Sequence, residues 1–216
     1  MASKLEVSPI GMALHAYVGK PDNKYNPDNP VYKLKLILSG DEAEALKAKI
    51  DAKVDEAYEA HISTLPVAQK NLWSTSYPYE DELDQETGEP TGRTIFKFKQ
   101  NSRIKRRDGT ITEVKILVVD SKKRKTNVPV FSGAEVRVGY KFRSNKDGTI
   151  YPSIIAASKN VSVRLDFSQV QLIKPAPRGD GSAFDEVEGG WEADEDEFSP
   201  NQGGSTSSAT SSDGDF

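Results

Sequence analysis

The chain of 216 residues contains no cysteine and only two histidines, His15 and His61. Without cysteine there is no disulfide framework and no thiolate metal site, and a reducing interior is the expected setting. Two isolated histidines in unrelated segments do not supply a zinc site or a histidine-assisted nucleophile, and no glycine loop has the pattern that cradles phosphates. Long apolar runs are missing too. The N-terminal stretch from Met1 to Glu6 is not hydrophobic, and later apolar runs such as Ile116 to Val119 are only strand-sized, so a soluble intracellular protein is expected.

Acidic residues outnumber basic ones, 33 to 29, for a net charge of −4, but the average conceals three blocks. Residues 1–92 carry 9 Lys/Arg against 16 Asp/Glu, residues 93–175 carry 19 against 6, and residues 176–216 carry 1 against 11. A block of net +13 inside an acidic chain is the electrostatic footprint of a polyanion-binding surface. After Pro175 the apolar pattern stops, and Gly, Ser, Asp and Glu surround isolated aromatics at Phe184, Trp191, Phe198 and Phe216. Such a composition cannot bury enough surface to offset its ordering entropy. The expected organisation is therefore a folded domain over 1–175 and a disordered acidic tail over 176–216, the tail competing for the cationic surface.

Within the domain, period-2 alternation dominates. Val31 to Leu38, Ile95 to Lys99 and Thr112 to Val119 each alternate as strands do, and further strands are expected over 12–20, 134–143, 149–158 and 161–173. Asp108-Gly109 and Asp147-Gly148 are turn signals. Ser39-Gly40-Asp41-Glu42 has capping-box spacing, and Leu46, Ile50, Val54, Tyr58 and Ile62 recur every four residues, which predicts an amphipathic helix packed on the sheet. Residues 65–92, with the acidic run from Glu80 to Glu89, read as a long irregular loop. Many short strands with one inserted helix and no βαβ alternation imply a mainly β, Greek-key barrel.

No enzymatic constellation emerges, and no cofactor is expected. The acidic run could hold a divalent metal in a nuclease, but such runs are usually solvated. Nucleic-acid binding has more behind it. Phe96-Lys97-Phe98-Lys99 sends its phenylalanines to one face, expected to be core, and its lysines to the other; Tyr140-Lys141-Phe142-Arg143 repeats the interleaving, with Tyr151 beyond a turn. Single-strand binding joins base stacking on aromatic rings to a cationic groove. Tyr17, Tyr140 and Tyr151 are candidate stackers. The clusters Arg103, Lys105, Arg106, Arg107 and Lys122, Lys123, Arg124, Lys125 are expected to rim the groove, although the second also has the composition of a nuclear-localisation signal. An RNA-binding module and an adaptor for acidic proteins share these features.

Several strings, taken in order, resemble one known family: Ala16 to Asp22, Val31-Tyr32-Lys33, Thr94 to Lys99, Leu117 to Lys122, Val128-Pro129-Val130 and the terminal Asp213-Gly214-Asp215-Phe216. They are similar to the gene 2.5 single-stranded DNA-binding proteins of T-seven-type phages. The resemblance implies an OB-fold-like core, sequence-tolerant binding of single-stranded DNA, a homodimer, and roles in DNA replication, recombination, repair and strand annealing in the cytoplasm of an infected bacterium. It implies DNA-binding roles for Tyr17, Lys20, Tyr32, Lys33, Lys97, Lys99 and Tyr140, and contacts to phage DNA polymerase and primase-helicase through Asp213, Asp215 and Phe216. The segment from Ser144 to Tyr151 departs from the family's aromatic-rich loop.

Overall fold

The computed structural model describes residues 5–24, 27–106, 108–145 and 147–177. In chain order the elements are β1 (Glu6–Val7), β2 (Gly11–Asp22), β3 (Val31–Ser39), α1 (Gly40–Ser63), α2 (Val67–Lys70), β4 (Ser74–Thr75), β5 (Tyr79–Leu83), β6 (Pro90–Asn101), β7 (Arg103–Lys105), β8 (Ile111–Glu113), β9 (Leu117–Val119), β10 (Glu135–Phe142), β11 (Ser153–Ile155), β12 (Asn160–Ser162) and β13 (Leu165–Lys174). Five of them close a barrel: β2 pairs with β3, β3 with β6, β6 with β13, β13 with β10, and β10 with β2 again. Counting only barrel strands, the order is 1-2-3-5-4-1, with the third and fifth parallel, which is an OB-fold topology.

Strand alternation explains the core. On β3, Tyr32, Leu34, Leu36 and Leu38 are buried, as are Phe96 and Phe98 on β6, Val136, Val138, Tyr140 and Phe142 on β10, and Leu165, Phe167 and Val170 on β13. Each such large side chain contributes about 1.5–3 kcal/mol on burial. Phe96 and Phe98 lie in the core, as their alternation with lysine predicts.

Helix α1 buries Ala43, Leu46, Ile50, Val54 and Ala57, while Tyr58 is only partly covered and donates its hydroxyl to the Trp73 carbonyl at 3.2 Å. The apolar stripe thus follows steps of 3 and 4 residues, not a strict step of 4, because a 3.6-residue turn rotates an i+4 series off the packed face. The expected capping box does not form: Ser39 makes no side-chain cap bond, and the helix start is favoured instead by Asp41 and Glu42 in its first turn.

Four of these expectations are corrected. Thr112 to Val119 is not continuous, because Ile111–Glu113 pairs with β7 whereas Leu117–Val119 changes partner to run parallel to β13. Residues 65–92 are not an irregular loop either; they include α2, β4 and β5, and the acidic strand β5 pairs with β6 because basic residues meet its carboxylates. The run over 149–158 is shortened to β11, and the run over 161–173 is split into β12 and β13. The Gly109 and Gly148 turns form as expected, with φ of +84° and +92°, and Asp108 and Asp147 each accept a backbone N–H two residues on, at 2.9 Å. Of the tail expected over 176–216, residues 178–216 lie outside the described residues.

Candidate nucleic-acid interface

The alternation that buries Tyr32, Leu34, Phe98 and Leu165 sends their neighbours outward, and the register lines these up across the barrel. Tyr17 of β2 faces Lys33 of β3, Lys33 faces Lys99 of β6, Lys99 faces Asp166 of β13, and Asp166 faces Lys141 of β10. One transverse row therefore crosses all five barrel strands. Beside it Lys35 faces Lys97.

Where the row meets the segments before β3 and after β10, a cleft of about 330 Å³ opens. Asn29, Asn101, Arg103, Lys105, Lys141, Arg143 and Arg164 line it, and Asp166 is its one carboxylate. A second cleft of about 390 Å³, bounded by Tyr77, Lys97, Lys99 and Arg164, and a third of about 270 Å³, bounded by Arg143, Tyr151 and Arg164, adjoin it through the shared Arg164. Tyr151 is half exposed, and the Arg143 guanidinium lies 5.3 Å from its ring centre, so the ring is held while one face stays open.

Charge is unevenly neutralised along the row. Lys33 pairs with Asp22 at 2.6 Å, and Glu80 holds Lys97 at 2.5 Å and Lys35 at 3.4 Å. The Lys97 hydrogen bond, ahead of opposing desolvation, keeps the Glu80 carboxyl below its ordinary range. Arg164 Nε lies 2.6 Å from Asp166 Oδ1, though off hydrogen-bond alignment, and the guanidinium donates to Asn101 Oδ1 at 2.6 Å. Burial raises the Asp166 pKa, and Arg164, Arg143 and Lys141 oppose that rise. Among the described residues, no carboxylate pairs with Lys99, Arg103, Lys105, Lys141 or Arg143. Lys99 is held below the ordinary lysine value, first by desolvation and then by repulsion from Lys33, Arg164 and Lys97. Crowded, unpaired cations around an open cleft form a site prepared for an anionic polymer.

A family model described as single-stranded DNA-binding protein, Bacteriophage T7, matches residues 10–174. The chain belongs to this family. Among solved structures, gp2.5, a single-stranded DNA-binding protein encoded by bacteriophage T7, is 25% identical with a TM-score of 0.66, over 87% of this chain and 100% of that one. The single-stranded DNA-binding protein of bacteriophage Enc34 has the same fold. Its C-terminal truncation is 15% identical, with a TM-score of 0.50 over 80% of this chain and 87% of that one, and its complex with single-stranded DNA is 13% identical, with a TM-score of 0.50 over 80% and 88%. No curated protein sequence matches the chain.

For a member of the T7 single-stranded DNA-binding family, the placement of the sequence-derived residues is instructive. Lys33, Lys97 and Lys99 share the row or its flank with Tyr17, while Arg103, Lys105, Lys141, Arg143 and Tyr151 border the clefts. Arg106 follows on the exposed β7–β8 turn, and Arg107 lies outside the described residues, as do Asp213, Asp215 and Phe216. Lys20 is exposed on β2, beside a separate groove.

Two aromatic candidates lie in the core. Tyr140 is 1% exposed, packs edge-on against Phe98 and Phe142, and donates its hydroxyl to Glu6 at 3.1 Å; burial first, then Glu6, raises its pKa. Tyr32 is buried on the inward face of β3. Neither ring presents an open face at the surface.

The second basic cluster is not brought to the clefts. Lys122, Lys123, Arg124 and Lys125 belong to a turn after β9 whose Asp120 and Ser121 carbonyls accept from Gln171, five residues beyond Asp166 on β13, or about 17 Å at the strand rise. Arg124 is also tied to Asp120 at 2.7 Å. Conversely, Arg164 and Tyr77 were not among the sequence candidates. The period-2 string Val163-Arg164-Leu165-Asp166-Phe167 carries the signal for Arg164, since its neighbours are core.

The acidic segment that could have held a metal lies in β5. There Glu80 meets Lys35 and Lys97, Asp81 meets Lys47 at 3.2 Å, and Glu82 meets Arg93, so these three carboxylates are matched by cations, while Asp84, beyond β5, accepts the backbone N–H groups of Glu86 and Thr87.

Proposed function

We propose that this phage-type single-stranded DNA-binding protein holds the strand across the transverse row and its three adjoining clefts, with little regard to sequence. The observation that carries the reading is the run of unpaired cations around Arg164, flanked by the open ring of Tyr151. Phosphates meet Lys99, Lys141, Arg143, Arg164, Arg103 and Lys105, and bases stack on Tyr151 and Tyr77. The lysines of α1 are each paired with a carboxylate, Lys47 with Glu44 and Asp81, Lys49 with Glu6 and Lys53 with Glu56, which favours backbone and stacking contacts over base-edge readout from the helix. Lys20 and Arg106 add positive potential around the row; Lys122, Lys123 and Arg124 lie farther off.

The same reading gives the protein roles in DNA replication, recombination, repair and annealing, as a homodimer in the cytoplasm of the infected bacterial host. Its acidic C-terminal segment recruits the phage DNA polymerase and primase-helicase through Asp213, Asp215 and Phe216. These roles are supported by family membership and by the composition of residues 176–216.

A salt-titrated binding curve on a labelled mixed-sequence oligonucleotide tests the DNA reading. Affinity falls linearly in log-log form, with a slope of about −0.7 for each phosphate contact on a single strand; a flat line refutes it. Matched DNA and RNA oligonucleotides compared in the same assay test the preference for DNA. For the C-terminal segment, Phe216→Ala leaves DNA affinity intact and abolishes capture of polymerase and primase-helicase, and a loss of DNA affinity refutes that division of labour.

A further inference from the structure

The transverse row ends on Tyr17, and Tyr17 also walls a different groove, of about 440 Å³, on the far side of β2. Val18, Gly19 and Val130 line this groove, Phe131 and Pro129 form its other wall, and Lys20 stands at its rim. Two of its rings lie open: Tyr17 is 47% exposed and Phe131 61%. Among the described residues, neither ring stacks on another aromatic or lies against a cation.

Phe131 is not a loosely displayed side chain. A tight turn fixes it: Ala134 donates to the Phe131 carbonyl at 3.2 Å, Gly133 to the Ala13 carbonyl at 2.8 Å, and His15 to Ser132 Oγ at 3.0 Å. Gly133 makes the turn possible with φ of +91°, and the bulge at His15, with φ of 49°, turns the β2 backbone toward Ser132. These three hydrogen bonds fix the backbone that carries the exposed phenyl ring, so the backbone part of its ordering cost is met by the fold.

We propose that this groove is a second single-stranded DNA subsite, in which bases of the strand already lying on the cationic row continue onto Tyr17 and Phe131. The inference rests on the cleft reading above and adds Phe131 as a stacking residue. Three observations select a nucleic-acid strand as the occupant. The groove is continuous with the row, because Tyr17 directly faces Lys33. Its rim is cationic: Lys20 borders it, and Lys125 borders an adjoining groove that shares Val18, Gly19, Pro129 and Val130. Its one carboxylate, Asp22, is already held by Lys33. Open π-faces beside lysines suit a stacked base with a phosphate on either side.

The test uses the full chain and two oligothymidylates, one of about 5 nucleotides that the cleft alone fills and one of about 15, within the span of site sizes seen for OB folds. Phe131→Ala and Phe131→Leu are compared with the parent by fluorescence anisotropy. Leucine keeps the apolar volume and removes the π-face, and at an exposed position neither change threatens folding. Both variants are expected to bind the long strand about 5- to 100-fold more weakly with an unchanged salt slope, and the short strand as the parent does. Tyr17→Ala removes a ring that also ends the row, so it is expected to weaken the long strand at least as much as the Phe131 variants do.

Parent-like affinity of Phe131→Leu for the long strand overturns the proposal, as does an equal loss for both lengths. A change of oligomeric state on sedimentation with DNA affinity preserved also overturns it, and identifies the groove as a contact between copies. Failure of the cleft reading looks different, since the parent itself then binds neither strand in a salt-dependent way.

Discussion

Replacing Lys99 by methionine separates the cost of the site from its use. The substitution keeps an apolar stem of similar length and removes only the ammonium. That ammonium faces Lys33 directly across β3 and is further repelled by Arg164 and Lys97, with no carboxylate of its own among the described residues. Like charges facing each other on a sheet destabilise by about 0.2–1 kcal/mol per pair, so Lys99→Met is expected to be as stable as the parent, or more stable by about 1 kcal/mol. DNA binding moves the opposite way. One lost phosphate contact flattens the log-log salt plot by about 0.7, and from 1 M to 0.1 M salt, a single decade, that amounts to about fivefold weaker binding at 0.1 M with no difference at 1 M. Urea unfolding and salt-titrated anisotropy on the same preparations measure the two effects. A less stable variant, or salt plots that run parallel, would refute the assignment of Lys99 as an unneutralised phosphate contact.

Tyr140→Phe removes the hydroxyl bonded to Glu6 and is expected to cost about 1–2 kcal/mol in denaturant unfolding while leaving DNA affinity unchanged. A selective loss of affinity would contradict its place in the core. Asp166→Asn removes the one carboxylate of the main cleft and is expected to tighten DNA binding by about 0.5–1 kcal/mol at low salt, an effect that shrinks as salt rises; unchanged affinity would move the strand off this cleft. In acid, the turn carboxylates Asp84, Asp108, Asp120 and Asp147 matter, because the N–H and hydroxyl groups they accept hold their folded-state pKa values below the ordinary aspartate value. The unfolded chain then binds more protons, so their contribution is complete above the ordinary aspartate range and is lost as pH falls through it; melting temperatures from about pH 5 down to 2 should fall less steeply in Asp120→Asn than in the parent.

The barrel strands were legible because period-2 alternation is local: Val31 to Leu38 and Ile95 to Lys99 form the strands their pattern predicts, with the lysines outward. What depends on a distant partner was not. β5 looked like a polar loop, since nothing within Glu80-Asp81-Glu82 reveals that Lys35, Lys47, Arg93 and Lys97 await it on other elements. Tyr140 shows a different failure. The rule that placed Phe96 and Phe98 inside and their lysines outside applies equally to Tyr140-Lys141-Phe142-Arg143 and puts Tyr140 in the core; its half-polar side chain argued for the surface, but one hydrogen bond to Glu6 satisfies the hydroxyl there. Lys122 to Lys125 were as basic as the Arg103 cluster, and only the register of β13 tells which end of the barrel each occupies.

The row draws on the same alternation as the core, so cationic side chains can be displayed on rigid strands without a separate scaffold. The cost of crowding them is limited by where the carboxylates fall. Asp22 and Glu80 sit at the edges of the row, on Lys33 and on Lys35 with Lys97, whereas the centre around Lys99, Lys141 and Arg143 is left to Asp166 alone. Exposed ion pairs contribute little to stability, so these edge carboxylates matter more for how the field is shaped than for holding the barrel together. By the count of paired and unpaired side chains, Lys33, Lys35 and Lys97 are matched while the cations where the clefts converge on Arg164 are largely not, so under the proposed function a diffusing polyanion is drawn to the point at which three clefts and an open tyrosine ring meet. Removing an edge carboxylate by Glu80→Gln should therefore speed association with single-stranded DNA at low salt and leave dissociation nearly unchanged. An effect confined to dissociation in stopped-flow measurements would mean that Glu80 competes with phosphate in the bound complex and does not shape the approach.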